Sequence, residues 1–209
     1  PKKEAKFGDV TQERAETIDE LDSKLVEDAL NAAKTSDLTI IFAGSNRDFE
    51  TEASDRADLE LPFGQGVLIE KVLAVNPNTI VVMIAGAPFD INSIKEKSSA
   101  LVWSWFNGSE GGNALADVLL GTINPSGKLP WTMPKNLMDS PAHATNSFPG
   151  DQTVSYDEGL LVGYRWFDTK NIEPLYPFGY GLSYTTFDIN NVRLDKKEAY
   201  SENDTIYVT

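Results

Sequence analysis

Between Thr17 and Lys34 the apolar residues Ile18, Leu21, Leu25, Ala29 and Ala33 fall three or four positions apart, with acidic residues early in the stretch. That spacing predicts an amphipathic helix. The run from Leu38 to Ala43 follows directly, rich in β-branched residues and nearly all apolar, which predicts a strand covered on both faces. Gly44 opens a polar, charge-dense loop that lasts to Leu61. After Pro62 the helical spacing returns through Leu68, Ile69, Val72 and Leu73, and Asn76-Pro77-Asn78 stops it. A second buried strand is expected at Thr79 to Ala85 and a third at Ala100 to Trp105, separated by a short segment with room for one or two helical turns. Glu110 to Leu120 then reads as a helix through Ala114, Leu115, Val118 and Leu119, with Gly121 as its C-terminal cap.

Strands alternating with helices, the strands uniformly apolar, imply βαβ units and a parallel sheet. Three such strands fall well short of the eight that a closed barrel needs. The predicted fold class is therefore α/β: an open α/β sandwich with a mostly parallel sheet and helices on both faces. Beyond Leu129 the pattern changes to polar loops interrupted by Pro130, Pro134, Pro141 and Pro149, then to an aromatic-rich stretch from Tyr156 to Phe187. Residues 187–209 alternate again through Ile189, Val192, Leu194, Ile206 and Val208, as opening strands of a β-domain would.

The 209 residues carry 18 Lys and Arg against 32 Asp and Glu, a net charge of -14, and no cysteine. A chain of this length buries roughly 70% of its unfolded surface, enough for a core without metals or disulfides. The negative balance opposes nucleic acid and anionic membrane surfaces, both of which demand clustered Lys and Arg. No run approaches the roughly 18 apolar residues of a membrane span. The absence of cysteine removes disulfides, thiol catalysis and cysteine-ligated metals, and no metal site is expected.

Two motifs fail on inspection. Gly121-Thr-Ile-Asn-Pro-Ser-Gly127-Lys128 has the wrong glycine spacing for a phosphate loop, lacks the Ser or Thr that would hold magnesium, and follows a helix; a turn at Asn124 to Gly127 is expected instead. Gly179-Tyr-Gly181-Leu-Ser183 is an incomplete nucleophile elbow, and His143, the single histidine, reads as a solvated loop residue. What remains is the acidic segment Gly44-Ser-Asn-Arg47-Asp48-Phe49-Glu50-Thr51-Glu52-Ala-Ser-Asp55-Arg56. It follows the first strand, at the carboxyl edge where open α/β sheets bind ligands. Paired carboxylates there suit glycosidic hydrolysis, in which one protonates the leaving oxygen and another acts as nucleophile or base. From spacing alone the favoured reading is a solvated acidic loop with an Asp55 or Glu52 ion pair to Arg56, since ion-pair networks imitate functional clusters.

Four segments change that balance: Glu50-Thr-Glu-Ala-Ser-Asp-Arg56 with Leu59-Glu-Leu-Pro62 and Gln65; Gly108 to Gly121 running into Asn124-Pro-Ser-Gly-Lys-Leu129; Tyr156 to Asp168; and Pro177 to Phe187. In this order and spacing the chain resembles the C-terminal α/β sandwich domain of glycoside hydrolase family 3, the β-glucosidase and β-xylosidase family, over about residues 12–190. The resemblance implies domains at 1–186 and at 187–209, the latter a linker and first strand of a fibronectin type III-like domain. It maps the acid/base onto Glu52, with Glu50 as the fallback, and leaves the nucleophile to a (β/α)8 barrel of the same polypeptide. Arg47, Asp48 and Phe49 would line the substrate. The expected activity is that of a retaining exo-β-glycosidase acting on a β-glucoside or oligosaccharide, with no cofactor and a periplasmic or extracellular location. A β-xyloside or α-L-arabinofuranoside specificity, or a non-catalytic carbohydrate-binding or structural domain, are the alternatives. Under the same resemblance Glu110 to Gly121 is a structural helix brought close to the sheet by its glycines. The aromatics Tyr164, Trp166, Phe167, Tyr176, Phe178 and Tyr180 either pack the long loops or stack on sugar.

Overall fold

The computed structural model describes residues 23–52, 55–150 and 153–209. Strands β1 (Thr39–Gly44), β2 (Thr79–Ile84) and β3 (Ala100–Trp103) form a parallel sheet in the order β1-β2-β3. In register, Thr39 faces Thr79 and Ile80 faces Ala100. Helix α1 (Ser23–Thr35) lies against α2 (Gln65–Val75), which in turn touches β1 and α3 (Asn92–Lys97). The part of the first expected helix before Ser23 lies outside the described residues. Helix α4 (Gly111–Leu119) follows β3, and Gly121, at φ 75°, closes it as a cap.

The register explains the core. Ile41, Val81 and Leu101 stand side by side across the strands, as do Ala43, Met83 and Trp103. This row packs on Ile69 and Leu73 of α2, Ile94 of α3, and Phe89, Ile91, Met133 and Leu175 from the loops. Opposite parity puts Ile40, Phe42 and Val82 on the other face. Val82, in the central strand, is fully buried, but Ile40 is 39% and Phe42 57% exposed. The expectation that the first strand is covered on both faces is thus corrected. Among the described residues β1 is an edge strand, and α2, the helix that it touches, covers its inner row.

The corner between α2 and β2 is held by one amide. Asn76, which ends α2, donates its Nδ2 hydrogens toward the carbonyls of Ala33 and Ser36, both at 2.9 Å, and accepts the Asn78 N–H at 3.0 Å. It is 7% exposed, and Thr79 beside it gives its hydroxyl to the Asn76 carbonyl. Asn76→Ala removes these partners from groups that water reaches poorly, so a loss of about 2–3 kcal/mol is expected. Urea unfolding measures it, and an unchanged midpoint would refute this role.

The stretch after Leu129 is more ordered than its composition suggests. Leu129 and Gly179–Tyr180 exchange backbone bonds of 2.8 Å, and Met133 pairs antiparallel with Tyr176. The aromatic-rich segment holds a helix that its pattern did not announce, α6 (Tyr164–Lys170), after the single-turn α5 (Pro141–Ala144). Trp166 and Phe167 are buried, Tyr176 is half-buried, and Tyr164, Phe178 and Tyr180 remain exposed. The Asn124 turn is a suture. The Asn124 side chain accepts the Tyr184 N–H, the Pro125 carbonyl accepts the Ser183 hydroxyl, and Lys128 donates to the Gly181 carbonyl. Gly111 is tight against the Asn107 side chain, while Gly108 and Gly112 have open space beside them. Gly111 therefore serves a contact with the preceding loop, which corrects the expected close approach of the helix glycines to the sheet. At the end of the chain, Arg193 and Thr209 exchange backbone bonds and Leu194 pairs antiparallel with Val208. Among the described residues no helix is long and apolar enough to cross a membrane.

Candidate active site

The acidic segment begins where β1 leaves the sheet. Gly44, at φ 140°, has its peptide gripped by one side chain: its N–H donates to Gln65 Oε1 at 2.9 Å and its carbonyl accepts from Gln65 Nε2 at 2.8 Å. A tight turn follows, in which the Asn46 carbonyl accepts the N–H groups of Phe49 and Glu50, while the Asn46 side chain accepts that of Asp48. This turn drives two consecutive side chains inward. Phe49 packs on Phe63 and Phe89, with ring centroids 6.2 and 6.5 Å away, so its ring is partly buried against the core. Glu50 Oε2 accepts both the Ser45 hydroxyl and, at 3.0 Å, the Gly86 N–H just beyond β2. Glu50 Oε1 is buried and without a partner among the described residues.

Glu52, two residues later, is exposed, as are Arg47 and Asp48. No described residue ties its carboxylate. Arg56 then returns the chain inward. Its Nη2 donates to the Pro88 carbonyl at 2.9 Å and its guanidinium lies 4.3 Å from the centre of the Phe89 ring. Burial lowers its pKa, opposed by the charges of Glu50 and Asp58. This disposition replaces the ion pair with Asp55 or Glu52 considered for a bland acidic loop. Glu52 thus sits between two tethers, Glu50 to Gly86 and Arg56 to Pro88, both ending on the segment after β2.

The neighbouring wall is aromatic. Trp103, Trp105 and Trp131 meet edge-on or tilted, with centroids 4.8–6.3 Å apart, and Trp105 adopts φ 58°. Phe106 approaches Gly86 so closely that a Cβ there would lie 3.0 Å from its ring. Ser45 and Gly86 were not singled out by sequence reasoning. For Gly86 the signal was present, since a glycine just past an apolar strand lies on the same carboxyl edge. Glu110 and Asn113 bond to each other, and His143 accepts or donates a 2.8 Å bond with Ser140 while resting on Phe148, so it is more engaged than a solvated loop residue. No group of three His, Asp or Glu side chains among the described residues is placed to hold a metal.

Residues 4–184 match the family model described as the glycosyl hydrolase family 3 C-terminal domain. The chain is 44% identical over 192 residues to a thermostable beta-glucosidase B of Acetivibrio thermocellus, covering 91% of this chain and 25% of that protein. Against beta-glucosidase BoGH3A of Bacteroides ovatus the identity is 49% over 177 residues, 82% of this chain and 23% of the relative. The crystal structure of a Bifidobacterium adolescentis GH3 beta-glucosidase superposes with a TM-score of 0.80 at 38% identity, over 90% of this chain and 27% of that one. The beta-glucosidase of Kluyveromyces marxianus in complex with glucose gives 0.77 at 37%, over 85% and 21%. The chain thus spans about a quarter of the length of the relatives it matches. An open α/β sandwich, an acidic loop at the carboxyl edge of its sheet and these similarities agree: the chain belongs to glycosyl hydrolase family 3, of which it forms the C-terminal domain.

Proposed function

We propose that this domain supplies the acid/base carboxylate, Glu52, to a retaining β-glucosidase. The observation that carries the reading is the contrast within one loop: Glu50 is turned inward and bonded, while Glu52 is presented to solvent at the carboxyl edge. A general acid must reach the glycosidic oxygen of a substrate held by another part of the protein, and of the two glutamates Glu52 is the one available for that. In the first half-reaction Glu52 protonates the departing oxygen as a carboxylate nucleophile attacks the anomeric carbon. In the second it takes a proton from the water that releases the sugar. The nucleophile belongs to a (β/α)8 barrel of the same polypeptide, and residues 187–209 open a fibronectin type III-like domain; the antiparallel pairing of Leu194 with Val208 supports that. The β-glucoside specificity is supported by the names of the relatives.

Two measurements test this reading. The full-length polypeptide should release glucose from aryl β-glucosides with the β anomer appearing first in proton NMR, as double displacement requires; α-glucose first would exclude retention. The purified 209-residue chain should show no turnover. Robust hydrolysis by the chain alone would mean that the nucleophile lies within it.

A further inference from the structure

Glu50 carries a charge into a half-buried position, yet only one of its two oxygens is bonded within the described structure. Its two donors come from different places. Ser45 is the first residue after β1, and Gly86 lies just past β2, 36 positions along the chain from Glu50. Gly86 in turn lies close under Phe106 from the segment after β3, whose ring would have to shift by a few tenths of an ångström to admit a Cβ there. One carboxylate oxygen thus ties the post-β1 loop to the post-β2 segment, beneath the ring of a residue that follows β3. Bonds to an ionised carboxylate are shorter and stronger than neutral ones, and misplacing a reacting group by about 1 Å costs on the order of a hundredfold in rate.

We propose that Glu50 is a positioning residue, whose carboxylate pins the loop that presents Glu52 by accepting the Ser45 hydroxyl and the Gly86 N–H. This rests on the assignment of Glu52 as the acid/base. Arg56, anchored to Pro88, holds the other side of the same loop.

A positioning role predicts a dependence on the leaving group that a merely structural role does not. In the full-length polypeptide, Glu50→Ala should lower kcat/KM for phenyl β-glucoside about 30-fold, but that for dinitrophenyl β-glucoside, whose departure needs little proton donation, less than about 3-fold. Glu50→Gln should recover most of the loss, since its carbonyl oxygen can take both donors. Ser45→Ala, which deletes one bond and disturbs folding least, should move the ratio of the two substrates the same way by about 3-fold. Equal losses on both substrates, an unmoved ratio in Ser45→Ala, or a Glu50→Gln variant as poor as Glu50→Ala would each overturn the proposal. Azide separates this from failure of the underlying assignment. If azide yields glucosyl azide with Glu50→Ala and not with Glu52→Ala, Glu50 is itself the acid/base and both readings fall.

Discussion

Replacing Glu52 by glutamine in the full-length polypeptide is expected to lower kcat/KM for substrates with poor leaving groups by about 10²–10⁴, the contribution of a positioned general acid. Glutamine keeps the size of the side chain and removes its ability to give and take a proton. Because Glu52 lies outside the core and no described residue bonds to it, thermal stability should not change. A large rate loss with an unchanged melting temperature therefore separates chemistry from folding. The converse pattern would make Glu52 a structural residue.

The largest stability effect is expected at Gly44. The residue sits at φ 140°, where side chains are strained, and a methyl group there would overlap the Ile84 carbonyl, part of the backbone of the central strand. That carbonyl already accepts the Ser45 N–H at 3.0 Å, and Gly44 is held on its other edge by Gln65. Neither neighbour can yield without breaking the departure of β1 from the sheet. Gly44→Ala should therefore cost about 4 kcal/mol or more, measured by denaturant unfolding, and should damage the loop that begins at Ser45. A loss below about 1 kcal/mol would show that the chain relaxes there easily.

The alternation of apolar strands with helices was legible because each pattern is local: Thr79 to Ile84 and Gln65 to Val75 announce themselves through their own residues. The open face of β1 was not, since Ile40 and Phe42 read as core in sequence and only strand order shows them at an edge. The pairing of residues 129–133 with 175–180 joins segments more than forty residues apart, each broken by proline, so no local period reveals it. Within the site, Glu50 and Glu52 are the same residue type two positions apart. What divides them is the Asn46 turn and an N–H contributed by Gly86, a long-range fact that composition and spacing do not carry. Arg56 is similar: its hydrogen bond goes to the Pro88 carbonyl and its ring contact to Phe89, while Glu50 and Asp58 act on it through their charge.

The central claim is that Glu52 is the proton donor and acceptor of a double displacement. The measurement that addresses it most directly is azide rescue of Glu52→Ala, using dinitrophenyl β-glucoside, for which the missing base makes release of the sugar slow. Azide needs no proton removed before it attacks, and the vacated side chain leaves it room. The account predicts that azide raises kcat and that the product is β-glucosyl azide, of retained configuration. No rescue, or an azide of inverted configuration, would contradict it.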